Sequence, residues 1–155
     1  MICRSSFLVG LATVFTSTAH AGTIMRTLDP CLSPNGALIA FSWQGDIWTV
    51  ASTGGMAHRL TVHPAEDTFP KWSPDGSRIY FDSTRAGSLD VYSMTPEGGD
   101  LRRVTFESGA EYPGSFSPDG QYLYGYTTSF GRMDLFRVKA TGGDIVRLTG
   151  GGMEL

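Results

Sequence analysis

The sequence is poor in the residues that carry most protein chemistry. Of its 155 residues, two are cysteine and three are histidine. Cys3 lies in an apolar amino-terminal segment, so a chain trimmed of that segment keeps Cys31 alone, and one thiol closes no internal disulfide. No lipobox precedes Cys31, which reads instead as a small apolar residue of the interior. There is no Gly-x-Ser-x-Gly, no His-Glu-x-x-His, no Cys-x-x-Cys and no phosphate-cradling glycine loop, so the usual signatures of hydrolytic, redox and nucleotide sites are missing. Charge is scarce too, at 17% of residues with a formal net charge of −3 and no basic run, which argues against a nucleic-acid partner. Beyond Phe7 to Phe15 no apolar stretch nears the roughly 18 residues of a membrane span, and no segment shows helical periodicity.

What is present begins with an address. Arg4, the apolar run Phe7 to Phe15 and the small-x-small site Ala19-His20-Ala21 have the form of a signal peptide over residues 1–21, cut after Ala21. Loss of Arg4 makes the mature chain, residues 22–155, one unit more acidic. The expected location is therefore periplasmic or extracellular.

The rest of the chain repeats itself. LSPNGALIAFS, WSPDGSRIYFD and FSPDGQYLYGY recur around Ser33, Ser73 and Ser117; GDIWTVASTGG, LDVYSMTPEGG and MDLFRVKATGG follow them; HRLT, RRVT and VRLT close each unit. The Gly-Gly pairs begin at 54, 98 and 142, a spacing of 44 that Asp46, Asp90 and Asp134 share. The Ser-Pro spacing is 40 and then 44, so the first unit lacks four residues between its second and third strands. Within each unit the turn chemistry is explicit: Pro34, Pro74 and Pro118 preset φ, Asp75 and Asp119 (Asn35 in the first unit) bond their own backbone, and Gly36, Gly76 and Gly120 accept positive φ. The β-branched and aromatic residues after each turn predict strands.

A period of about 40 to 45 residues with four short strands and no helix predicts blades of a β-propeller. In the second unit the strands are expected at Pro70 to Trp72, Arg78 to Asp82, Asp90 to Met94 and Leu101 to Thr105. Ile47, Val91 and Leu135 share one repeat position, Trp48, Tyr92 and Phe136 the next, and Val50, Met94 and Val138 another, so both faces of each blade should be packed. The fold class is thus all-β, with blade 1 at about 28–61, blade 2 at about 68–105, blade 3 at about 112–149 and the start of a fourth at 150–155. A closed propeller needs about four to eight blades. Three and a beginning are expected to be part of a longer protein or, failing that, to join with other copies through open blade edges.

These units resemble the TolB-like variety of WD-type β-propeller repeat, in six- or seven-bladed rings, through the aromatic-Ser-Pro-Asp-Gly turn, the Asp-apolar-aromatic strand, the Gly-Gly pair and the final Arg-Leu-Thr. The first unit, DPCLSPNGALIAFSWQGDIWTVASTGGMAHRLT, is similar more narrowly to the opening blade of the amino-terminal propeller of exported tricorn-type proteases. That resemblance implies a non-catalytic segment that binds protein or peptide and guides peptide toward a serine-peptidase domain not in this chain. Alternatives are a TolB-like module that docks envelope proteins and a propeller hydrolase with a metal in its central channel. TolB carries a domain before its propeller, for which residues 22–27 leave no room, and this favours the tricorn-type reading.

Of the polar residues, the set Ser33, Pro34, Gly36, Ser73, Pro74, Asp75, Gly76, Ser117, Pro118, Asp119 and Gly120 reads as turn structure. Asp46, Asp90 and Asp134 recur at the entry of the third strand and are expected to cap the preceding loop, and Arg59, Arg103 and Arg147 recur on the outer strand, where they are expected to protect the edge or bridge blades. His58 reads as a solvated edge residue. His63 beside Glu66 and Asp67 is a candidate metal group, weighed against a polar loop. Trp48 and Trp72 are expected in the core and Trp43 in an exposed loop. No cofactor is expected.

Overall fold

The computed structural model describes residues 28–150. Twelve strands form three four-stranded antiparallel meanders in chain order. Blade 1 comprises β1 (Leu28–Leu32), β2 (Leu38–Trp43), β3 (Asp46–Ala51) and β4 (His58–Arg59). Blade 2 comprises β5 (Asp67–Trp72), β6 (Ile79–Ser83), β7 (Asp90–Met94) and β8 (Arg102–Arg103). Blade 3 comprises β9 (Glu111–Phe116), β10 (Tyr122–Thr127), β11 (Asp134–Lys139) and β12 (Val146–Arg147). These are blades of an incomplete β-propeller, and none of the described residues is helical. The proposed leader and all but Gly150 of the expected fourth unit lie outside the described residues.

Each Ser-Pro-Asp-Gly corner closes in the same way. The Ser73 hydroxyl donates to Asp75 Oδ1 at 2.6 Å and accepts from the Arg78 amide at 3.0 Å, while Gly76 takes φ of 71°. Asn35 serves where the other units have Asp because the turn uses a single side-chain oxygen: Ser33 Oγ and the Ala37 amide donate to Asn35 Oδ1 at 2.8 and 3.0 Å. These bonds hold the Asp75 and Asp119 carboxyls below the usual range. The shortened first unit is also explained. Blade 1 joins β2 to β3 through Gln44-Gly45, both at positive φ, a tight hairpin where blades 2 and 3 have longer loops.

The core lies between blades rather than within one. One apolar cluster joins Ala40 and Ile47 of blade 1 to Trp72, Ile79, Phe81, Tyr92 and Met94 of blade 2. A second joins Tyr80, Val91 and Val104 of blade 2 to Leu123, Phe136 and Val138 of blade 3. Every blade therefore has a leading face toward its predecessor and a trailing face toward its successor. Polar contacts lock the seams: Trp72 Nε1 donates to the Cys31 carbonyl at 3.0 Å, and the Tyr80 hydroxyl to the Ala140 carbonyl at 2.9 Å. Gly125, which stands where the other units have Phe, makes room at such a seam. A Cβ there would sit 2.2 Å from the Tyr112 carbonyl and 2.8 Å from the Phe136 ring.

Several details differ from expectation. The innermost strand of blade 2 starts at Asp67 rather than Pro70, because the chain passes its proline by a bulge. The outermost strand shrinks to Arg102–Arg103. Trp43 is not in an exposed loop: it ends β2, half-buried, its ring edge-on to Trp48 at 5.1 Å, and its carbonyl accepts from Trp48 Nε1 at 3.1 Å. Trp48 is half-buried as well, because it lies on the leading face of blade 1, which no other blade among the described residues covers. Cys31 is half-buried at the margin of the first cluster.

Candidate functional site

The recurring Asp, Arg and Thr form one tie, repeated three times. Arg59, Arg103 and Arg147 reach Asp46, Asp90 and Asp134 at 2.5, 2.9 and 2.7 Å. The Nε of each arginine donates to the carbonyl of Thr61, Thr105 or Thr149 at 2.9, 2.9 and 2.8 Å. The threonine hydroxyls in turn accept from the amides of Ile47, Val91 and Leu135, each at 2.9 Å. The three carboxylates thus hold the outer strand to the third strand. Their main partners are the arginines and not the amides of the preceding loop.

His58 is exposed on β4, and His63 Nδ1 accepts from the Ala65 amide at 3.0 Å. Asp67 is buried, with both carboxylate oxygens taken by Arg85 at 2.8 and 2.7 Å. His63, Glu66 and Asp67 are therefore not brought together, and among the described residues no group of three such side chains could hold a metal ion.

Two other acids are buried near the inner strands. Asp82 accepts from the Thr68 hydroxyl, and burial pushes its carboxyl up to about 6. Glu111, which accepts from Thr127 and Ser129 at 3.0 and 2.7 Å, is likewise raised by burial. Asp67 and Glu111 share a repeat position; the first faces an arginine and the second faces hydroxyls.

An apolar cleft of about 340 Å³ lies beside the inner strands of blades 2 and 3, lined by Phe69, Lys71, Tyr112, Pro113, Gly114, Tyr126 and Met133. This is within the usual range for ligand pockets, roughly 300 to 1,000 Å³. β5 shifts register between Thr68 and Lys71, and at this bulge Phe69 adopts φ of 52°. The left-handed region is costly for a bulky residue, and a following proline disfavours it further. The result is an aromatic ring left 39% exposed, edge-on to Tyr112 at 6.5 Å. Lys71 is the one charged residue of the lining. β1 has the same irregularity at Asp29, φ 58°, and there the bulge presents a carboxylate instead.

Sequence reasoning assigned none of these cleft residues a role. The available signal was a residue before proline within a strand, Asp29-Pro30 and Phe69-Pro70, because proline in a sheet marks an edge or a bulge.

Three meanders packed face to face around an inner row of strands define a β-propeller segment. Residues 29–151 match the family described as the tricorn protease N-terminal β-propeller domain, and the chain belongs to it. It is 36% identical over 58 residues to tricorn protease homolog 1 of Streptomyces coelicolor, an alignment that covers 37% of this chain and 5% of that protein. Among solved structures it is similar to a putative TolB from Agrobacterium tumefaciens, with a TM-score of 0.70 and 32% identity over 79% of this chain and 46% of the other. The tricorn protease structure gives a TM-score of 0.67 at 24% identity, over 79% of this chain and 13% of that one, a likeness of fold. The chain thus spans a small part of the curated tricorn relative. No helix among the described residues is long and apolar enough to cross a membrane.

Proposed function

We propose that the chain is the non-catalytic propeller segment of an exported tricorn-like protease and that it holds extended peptide for cleavage elsewhere. The observation that carries this reading is Phe69. The backbone bulge that places it recurs at Asp29 and belongs to the blade, but here it sets an aromatic side chain partly in solvent at the wall of an apolar cleft, which supports a ligand there. The form of residues 1–21 supports export, and the family match supports the protease setting. We read Ser33, Ser73, Ser117, their Pro and Gly partners, and Asp46, Asp90 and Asp134 as scaffold. No cofactor or nucleic acid enters this reading.

Phe69→Gly tests it, because glycine accepts the positive φ while removing the ring. Binding of fluorescein-labelled extended peptides rich in Leu and Phe should weaken at least tenfold, with the melting temperature unchanged or raised. A lower melting temperature with unchanged binding would show that Phe69 is packing and would sink the proposal.

The likeness to the putative TolB favours a second reading, a module that docks a folded envelope protein. In that case the labelled peptides would not bind the unaltered chain.

A further inference from the structure

The chain contains a single asparagine, Asn35, and glycine follows it at the corner where the other two units have Asp75 and Asp119. Its side chain is exposed and folds back on its own turn. Oδ1 accepts from the Ser33 hydroxyl at 2.8 Å and from the Ala37 amide at 3.0 Å. The second bond reaches two residues along the chain, so the carboxamide carbon is held over the peptide that joins Asn35 to Gly36. The N–H of that peptide points to the Ser33 carbonyl at 2.8 Å, which leaves the face of its nitrogen open to Cγ. Gly36 has φ of 72°, and a Cβ built on it would meet nothing within 4 Å. Both bonds fall on Oδ1, and among the described residues none holds Nδ2.

We infer that Asn35 is a self-modification site, where the folded corner loses ammonia and becomes the Asp that its two sister corners already carry. The Gly36 amide gives its proton to solvent hydroxide, and its nitrogen attacks Cγ. As the N–Cγ bond forms, negative charge builds on Oδ1, where the Ser33 hydroxyl and the Ala37 N–H are already placed to receive it. The Ser33 hydroxyl is itself polarised by the Leu38 amide, which donates to its oxygen at 2.9 Å. The Cγ–Nδ2 bond then breaks, Nδ2 takes a proton from water and leaves as ammonia, and a cyclic imide joins the two residues. Water adds to Cγ and reopens the ring. The net change is amide and water to carboxylic acid and ammonia, with no other reactant consumed.

Water can add to either carbonyl of the imide. Addition at the main-chain carbon gives isoaspartate and inserts a methylene into the backbone of the turn, whereas addition at Cγ gives the corner seen in the other blades. There each carboxylate accepts from the serine hydroxyl at 2.6 Å and from the amide two residues on at 3.0 Å. Those bonds hold both carboxyls below their usual range, so a carboxylate is the better acceptor for the same donors and the corner selects Asp. The new charge also alters the groove between blades 1 and 2, a space of about 430 Å³ lined by Asn35 and Asp75 among others. It then carries two corner carboxylates, as the groove between blades 2 and 3 does with Asp75 and Asp119.

The test is peptide mass spectrometry of the chain held at mildly alkaline pH, in native buffer and in concentrated urea, with chromatography to separate Asp from isoaspartate and circular dichroism as the control for folding. The folded chain should convert residue 35 about fivefold faster than the chain in urea, and mainly to Asp. Ser33→Ala removes one donor to Oδ1 and should slow the folded reaction roughly tenfold while leaving the rate in urea unchanged. Asp119→Asn builds the same pair into the corner of blade 3 and should convert at a similar rate, which keeps the inference testable if Ser33→Ala fails to fold. Conversion confined to urea would overturn the inference, because the corner would then protect the amide. A mainly isoaspartate product in native buffer would overturn it too, as would an Asp119→Asn chain that keeps its new amide while residue 35 reacts. None of these readouts depends on the inner cleft.

Discussion

Val91 and Leu135 stand at the same place in consecutive repeats, and one is fully buried while the other is 40% exposed. The contrast runs through both blades. Every residue of β6 and β7 is buried, whereas β11 alternates between buried and exposed or half-exposed. The two blades share turn chemistry and the Asp-Arg-Thr tie, so the difference follows from their neighbours. Blade 2 has a sheet on each side and blade 3 has one. In this architecture a hydrophobic residue acquires its stabilising value from the next blade, as expected where repeats stack in one dimension.

The largest expected effect tests that directly. Phe81→Ala, in the covered blade, should cost about 3–5 kcal/mol, and its counterpart Phe41→Ala, half-buried on the uncovered leading face of blade 1, about 1–2 kcal/mol. Chemical denaturation of the two variants measures the gap; equal losses would mean that burial by neighbours does not set blade stability.

Next in size is a charge caught by the same coverage. Asp82 is buried in blade 2, whereas its counterpart in blade 3, Tyr126, is partly in solvent. Its carboxyl titrates at about 6 instead of 3.8, so the folded state binds a proton more tightly than the unfolded state. The stabilisation is therefore full below pH 3.8 and is lost as pH rises to about 6. Asp82→Asn should remove that slope and raise stability at pH 7 by about 3 kcal/mol relative to the parent chain. Melting temperatures of both proteins between pH 4 and 7 would show whether the difference grows with pH as required.

The smallest effect concerns what the blades share. Asp90→Ala and Asp134→Ala each remove a carboxylate ion-paired to the arginine of the outer strand and should each cost about 2 kcal/mol. Similar losses in covered and uncovered blades would separate the tie, which acts within a blade, from packing, which acts between blades.

The fold was readable because its signals are local and recur: turn residues at fixed offsets gave three four-stranded units, and the third strand of blade 2 runs from Asp90 to Met94 as expected. Burial was less readable. Trp48, Tyr92 and Phe136 look equivalent in sequence, and only the presence or absence of a neighbouring sheet tells half-buried Trp48 from buried Phe136. The cleft was not readable from composition, since Phe69, Tyr112 and Tyr126 resemble the strand aromatics that fill the interior. What distinguishes Phe69 is a backbone irregularity, whose only trace in the sequence is the proline that follows. The polar ties were half legible: the fixed spacing of Asp46, Asp90 and Asp134 marked them as structural, but their partners lie 13 residues on, across the sheet, where spacing alone could not assign them.

The corner prolines have a consequence for how such a molecule can change. Pro34 lies against Gly76 of the next corner, and Pro74 against Gly120, the approach being 3.7 Å in each case if a Cβ is placed on the glycine. Each unit thus brings both halves of the contact, a ring to give and a bare glycine to receive. Copying one unit in the gene would add a blade that meets its neighbours through contacts already selected, and deleting one would rejoin matching halves. Blade number can then drift between descendants of one ancestor without any new interface having to evolve.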